Sequence, residues 1–220
     1  MAMTDPQTAL DPPEARWPAA IAIIAVGGLY AALPASLAVG PRWLFVLIIG
    51  VLLVLNISAH AAGKDRLNSL SGHLLAGILT LFMVWSLLLL VHALPSHREA
   101  PVTMLRSAAA LWITNILVFA LWYWRLDAGG PHQRDIRLGH PSGSFLFAQM
   151  TLRDDDLPPE MKNWSPNFVD YLFLAFNTST AFSPTDAPVM SRWAKLLTMA
   201  QSSISLTIVV ILAARAVNIL

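Results

Sequence analysis

The chain has 220 residues, 56% of them hydrophobic and 12% charged, with a formal net charge of +1 and no cysteine. A soluble domain of this size carries roughly a quarter charged residues, so the polar surface needed to dissolve a globule is missing and a membrane protein is expected. The near-neutral balance has no basic tract and gives no footprint for nucleic acid, while the absence of cysteine excludes disulfides, thiolate metal sites and cysteine nucleophiles.

The segment MAMTDPQTALDPPEAR is rich in proline and acidic where a signal sequence would be basic. Residues 1–16 are expected to form a flexible tail, and the apolar run after them a retained span. Apolar runs then follow at Trp17–Leu37, Trp43–Ala61, Leu70–Leu94 and Met104–Trp124, with another from Val189 to Leu220. Each approaches the roughly 20 helical residues that a hydrocarbon core requires. Gly40-Pro41, Gly63-Lys64-Asp65-Arg66 and Leu94-Pro95-Ser96-His97-Arg98 punctuate them. Links this short predict antiparallel neighbours in one four-helix bundle over 17–124. Trp17, Trp43, Trp122, Trp124, Trp164 and Trp193 fall at the edges of apolar segments, where interfacial belts favour an amphipathic ring.

Residues 125–166 form the one long polar connection, with an apolar piece at Phe145-Leu146-Phe147 and an acidic cluster at Asp154-Asp155-Asp156. It is expected to be extramembrane, with the apolar piece tucked against the bundle.

The stretch YLFLAFNTSTAFSPTDAPVMSRWAKLL then departs from a simple span. Residues 167–182 would reach only about 24 Å as a helix, short of the ~30 Å core. Ser165-Pro166, or Asn167 with Asp170, signals its start. The hydroxyl run Thr178-Ser179-Thr180 and then Pro184 signal its end. Non-helical backbone at membrane depth needs protein or a water-filled cavity around it. A short helix, a polar turn and a long last helix therefore predict a re-entrant loop in residues 167–220.

The order of helix, threonine-rich turn, acid and arginine-containing start of a last helix resembles the pore domain of potassium-channel-type proteins. Asp170-Tyr171-Leu172-Phe173 resembles the start of a pore helix, and Thr178-Ser179-Thr180 the threonines before a filter. Asp186 resembles the acid after the filter, and Arg192-Trp193-Ala194-Lys195-Leu196-Leu197 the start of an inner helix. The same stretch is similar to a bacterial family of integral membrane proteins of unknown function with a Thr-Phe-x-x-Ser-Asp turn, matched here by Ala181-Phe182-Ser183-Pro184-Thr185-Asp186. The two resemblances imply a bacterial inner membrane, a homo-oligomer (a tetramer for a channel), a monovalent cation as the permeant species and no cofactor.

Ser183 and Thr185 stand where a potassium filter has glycines, and a left-handed conformation there costs about 1–2 kcal/mol each. Pro184 restricts Ser183 to extended geometry and removes an amide donor. A potassium-selective carbonyl cage is not expected. The pore-type candidates are Thr178, Ser179, Thr180, Ser183, Pro184, Thr185 and Asp186, which suit a weakly selective cation path. Thr198, Ser202 and Ser205, at spacings of three and four on the last helix, share a face that either packs or lines it.

Asn56, His60 and Asn115 are polar positions within spans, each accounted for by one interhelical hydrogen bond or by a pathway. Arg215 is expected to snorkel to the interface. No histidine pair has metal spacing and no nucleophile elbow or phosphate loop is present, so no metal site and no enzyme activity are expected. The expected fold is an all-α polytopic membrane protein of about five transmembrane helices plus one short re-entrant pore-type helix before the last span. Its function is expected to be ion-channel-like with a degenerate, non-potassium-selective loop, or alternatively that of a non-conducting scaffold or accessory protein.

Overall fold

The computed structural model describes residues 13–94, 100–136, 143–152, 164–183 and 186–217. Helices occupy most of this: α1 (Trp17–Ala32), α2 (Arg42–Ala61), α3 (Asp65–Ala93), α4 (Pro101–Leu126), α5 (Pro131–Asp135), α6 (Phe168–Thr180) and α7 (Arg192–Val217). Among the described residues there is no strand, only an isolated antiparallel bridge between Phe145 and Val189. Helices α2, α3, α4 and α7 are long and apolar enough to cross a membrane, and the chain is an integral membrane protein.

Local chemistry sets the helix ends. Pro18 and Pro101 sit in the first turns of α1 and α4, where a missing N–H costs nothing. Pro34 ends α1: Leu33 before it is extended (φ −64°, ψ 148°), as the residue before a proline prefers. The apolar run predicted to Leu37 therefore yields a 16-residue helix and a separate 3-10 turn at Ala35–Leu37. Gly63, at φ +64°, closes α2. Helix α3 starts at Asp65, five positions before the Leu70 predicted from hydropathy, because an acid in a first turn favours the helix N-terminus. The last helix starts at Arg192 and not Val189, since Val189 is held in the bridge to Phe145.

Helix α4 is the hub. In its membrane-length window 61% of the residues are buried, against 17% for α2. Helices α1, α3, α6 and α7 all pack on it, while α2 packs on α1 and α3 at the periphery. The outer surface carries Ile21, Ile24, Leu47, Val54, Leu81, Leu88 and Val210, all exposed. Such an apolar girdle fits lipid as the surrounding medium. In lipid the hydrophobic effect does not drive helices together, so close packing and interhelical hydrogen bonds must hold the bundle.

Several edge residues are used differently from their expected roles. Trp17 and Trp43 are exposed, but Trp124 is buried and Trp122 donates to Thr80 on α3 at 2.8 Å. Arg215 does not reach outward: it is buried and donates to the Leu94 carbonyl at the end of α3, at 2.8 Å. That bond satisfies a carbonyl the helix itself leaves open. Phe145 is fully buried among Tyr123, Tyr171 and Trp193, with ring centroids 5.0, 6.3 and 6.1 Å away, which is the expected docking of the apolar piece of the long connection.

Candidate functional site

Helix α6 has 13 residues, about 20 Å of axis, and lies against α4 and α7. Its start is capped as the Asn167–Asp170 spacing predicts. The Asn167 side chain accepts from the Val169 N–H at 2.8 Å, and Asp170 accepts from the Asn167 N–H at 2.8 Å. The first turn sits at the Arg125 end of α4. The Phe168 and Trp124 rings meet edge to face at 5.8 Å, and the Tyr171 hydroxyl donates to Asp127 at 2.7 Å.

The last turn of α6 enters a buried polar cluster. Gln201 on α7 is its centre, donating to the Ala175 carbonyl at 2.7 Å and to the Ser179 hydroxyl at 2.8 Å. The Tyr123 hydroxyl from α4 donates to the Gln201 side-chain oxygen. Asn115, also on α4, donates toward the Ser179 hydroxyl and the Gln201 carbonyl at 3.4 Å each, and its own side-chain oxygen has no partner among the described residues. Ser205 donates to the Ser179 carbonyl at 3.0 Å, and Ser202 reaches the Thr178 carbonyl at 3.5 Å. Asn115, Thr178, Ser179, Gln201 and Ser205 are all inaccessible.

Past Ala181 the backbone turns at Phe182 (φ +56°), a left-handed conformation that side chains disfavour. Pro184 and Thr185 lie outside the described residues. The chain resumes at Asp186, which accepts from the Asn177 amide. By Val189 it is beside Phe145, fixed by Leu146 N–H to the Pro188 carbonyl (3.0 Å) and Met190 N–H to the Ser144 carbonyl (2.8 Å). Phe145 is in turn packed on Tyr171 of the first turn of α6. Helix α7 therefore begins at the same end of the bundle as α6.

The predicted site residues divide by face. Thr178, Ser179, Thr198 and Ser205 are buried between α4, α6 and α7; Ser202 is half-buried; Thr180, Ser183 and Asp186 are exposed. Ser183 is not at positive φ. Thr178 also bonds back to the Leu174 carbonyl at 2.8 Å, and Thr180 to the Phe176 carbonyl at 3.0 Å. Sequence reasoning passed over Tyr123 and set Gln201 beside the hydroxyl face of the last helix, not at its centre. Gln201 follows Thr198 by three and precedes Ser205 by four, so helical spacing places it at the centre of that face.

A second polar cluster lies at the end where α1, α4, α5 and α6 meet. Arg134 donates to Glu14 at 2.9 Å and to the Trp124 and Asp127 carbonyls at 2.8 and 3.0 Å, with its guanidinium 5.1 Å from the Tyr171 ring centroid. Arg16 pairs with Asp135, and Trp124 donates to Glu14. Burial lowers the Arg16 pKa from its ordinary value, while Asp135 and Glu14 pull it up and Arg134 adds to the decrease. Glu14 and Arg16, expected in the tail, are thus pinned to α4 and α5. Residues 1–12 and the acidic cluster 154–156 lie outside the described residues. Gly130 makes the tight corner into α5: its φ is +91° and a Cβ there would stand 2.7 Å from the Arg125 carbonyl oxygen.

Among the described residues no group of three histidine or acidic side chains could hold a metal ion. In comparison with known proteins, no family model, no curated protein and no solved structure matches the chain.

Proposed function

We propose that the chain is one subunit of an ion-channel-like membrane protein in which α6 is a re-entrant half-helix and α4, α6 and α7 make the pore-type module. The permeant species is a monovalent cation, and the path is weakly selective. The path of the backbone around α6 carries this reading. The helix is too short to cross a ~30 Å core. It starts beside Asp127, ends against the middle of α7 at Gln201, and Val189 is again beside the first turn through Phe145.

Two physical features support a cation. The C-terminal end of a helix carries partial negative charge, and α6 would present that end at depth. Asp186 adds an exposed carboxylate where the chain returns. A potassium-type cage is disfavoured by the same backbone: its glycine-like conformation is absent at Ser183. Because Thr178, Ser179, Thr198 and Ser205 are turned into the chain, they form the wall that positions the loop, and Thr180, Ser183 and Asp186 remain to line it.

The competing reading is a non-conducting scaffold, favoured by the same inward hydroxyls: a cluster with most of its donors and acceptors engaged is sufficient reason for a polar α6. Purified protein in planar bilayers separates the two. The channel reading expects cation currents that fall severalfold in Asp186→Asn and change selectivity in Ser183→Gly, from particles with fourfold symmetry. Absence of current in all ionic conditions, from a monomer or from a dimer formed through α2 or α3, leaves the scaffold.

A further inference from the structure

We infer that the cavity between α1, α2 and α4 binds the phosphate head of an anionic membrane lipid, with Arg125 as its ligand. The starting point is a buried guanidinium that pairs with no carboxylate among the described residues. At this end of the bundle Arg134 is matched by Glu14 and Arg16 by Asp135. Asp127 is held by the Tyr171 hydroxyl and the Ser144 N–H. Arg125 is 6% exposed and touches no carboxylate among the described residues. A buried ion is costly unless it is paired and hydrogen-bonded.

What surrounds this guanidinium holds it in place without neutralising it. One terminal nitrogen donates to the Asn56 side-chain oxygen at 3.2 Å, and Nε has no partner among the described residues. The Asn56 amide is fully committed elsewhere, to the Asn68 backbone and side-chain oxygens (2.8 and 2.7 Å) and to Ser71 (3.0 Å), which fixes its oxygen toward Arg125. The Trp124 ring centroid is 5.1 Å away. Beneath it is Gly72, where a Cβ would lie 1.8 Å from a guanidinium nitrogen. The group is thus seated on bare backbone and aimed along a cavity of about 280 Å³, near the lower end of the roughly 300–1,000 Å³ of ligand pockets.

That cavity has two chemically different ends. Arg16, Arg125, His60 and Asn68 supply a polar end. Ile23, Leu53 and Ile57 supply an apolar one, and Ile57 is more than half exposed on the outer surface of α2. A small inorganic anion needs only the first end. An amphiphile with a phosphate head and a hydrocarbon chain fits both, and arginine suits phosphate because its fork donates two parallel hydrogen bonds.

The test uses the full chain extracted in detergent, with dioleoyl phosphatidylglycerol, dioleoyl phosphatidylcholine and inorganic phosphate as probes, read by native mass spectrometry and thermal melting. The wild type should retain the anionic lipid over the zwitterionic one by about tenfold, and Arg125→Met should bring that ratio near one. In lipid-free detergent Arg125→Met should melt at or above the wild type, with the order reversed in phosphatidylglycerol. A variant that melts lower by the same amount in both media makes Arg125 a structural group and overturns the proposal. Ala20→Phe fills the cavity and spares the charge, and it should also abolish retention; unchanged retention places the lipid elsewhere. Displacement of phosphatidylglycerol by inorganic phosphate would reveal a free-anion site and remove the lipid from the assignment.

Discussion

Asn115 and Arg125 are both buried on α4, about 15 Å apart along its axis, and they sit in polar clusters built on opposite principles. Around Asn115 every group is neutral and most donors and acceptors find partners inside the chain: Tyr123, Ser179 and Ser205 are joined through or beside Gln201. Around Arg125 the groups are ionic, and its guanidinium, unlike those of Arg16 and Arg134, touches no carboxylate among the described residues. A largely closed neutral network holds helices in register. An ionic cluster with one guanidinium off any carboxylate and a cavity beside it is completed from outside. The first cluster belongs to architecture, and the second faces the membrane.

The sharpest way to break this contrast is to remove the centre of the closed cluster. Gln201→Leu strips the acceptor from the buried Tyr123 hydroxyl and the donor from Ser179. It is expected to cost about 2–3 kcal/mol, measured by thermal or denaturant unfolding in detergent with and without anionic lipid. The loss should be equal in both media. A lipid-dependent loss would show that the two clusters act as one.

The next effect in size lies in the open cluster. Gly72→Ala puts a methyl where the Arg125 guanidinium lies. Overpacking of this kind costs about 2 kcal/mol, and here the guanidinium must move, so retention of phosphatidylglycerol should fall as well. Wild-type retention with the expected loss of stability would separate Gly72 packing from the lipid site.

A smaller effect tests how α6 is anchored between the clusters. Asn167→Ala removes the cap from its first turn and should cost about 1 kcal/mol, seen as faster amide exchange at Val169 and Asp170 with protection at Ser179 unchanged. This cap was legible in the sequence, because a capping box has fixed spacing. So were the long helices, since an uninterrupted apolar run leaves few alternatives in lipid. The stop of α1 at Leu33-Pro34 was legible too, but hydropathy averaged over a window runs past a single proline. Arg125 was placed at the start of the polar connection for the opposite reason: a charge ends a hydropathy window, although α4 continues through it and buries it against Gly72. Gln201 was on the right face by spacing, yet its three partners come from α4 and α6, and no local pattern encodes a contact 78 residues away.

The smallest change in stability carries the clearest functional reading. Thr178 and Thr180 are two residues apart on α6 and both bond back to their own helix, but Thr178 is fully buried against α7 while Thr180 is exposed. Valine is nearly isosteric with threonine, and neither hydroxyl donates across to another helix, so Thr180→Val should shift stability by less than about 0.5 kcal/mol. Under the channel reading Thr180→Val removes a polar group from the path, and it should alter single-channel conductance or selectivity in planar bilayers. Thr178→Val, whose hydroxyl never meets the path, should leave the current as it was. Equal effects from the two would mean that the wall and the lining are not separate, and that α6 presents a different face to the ion from the one its burial pattern implies.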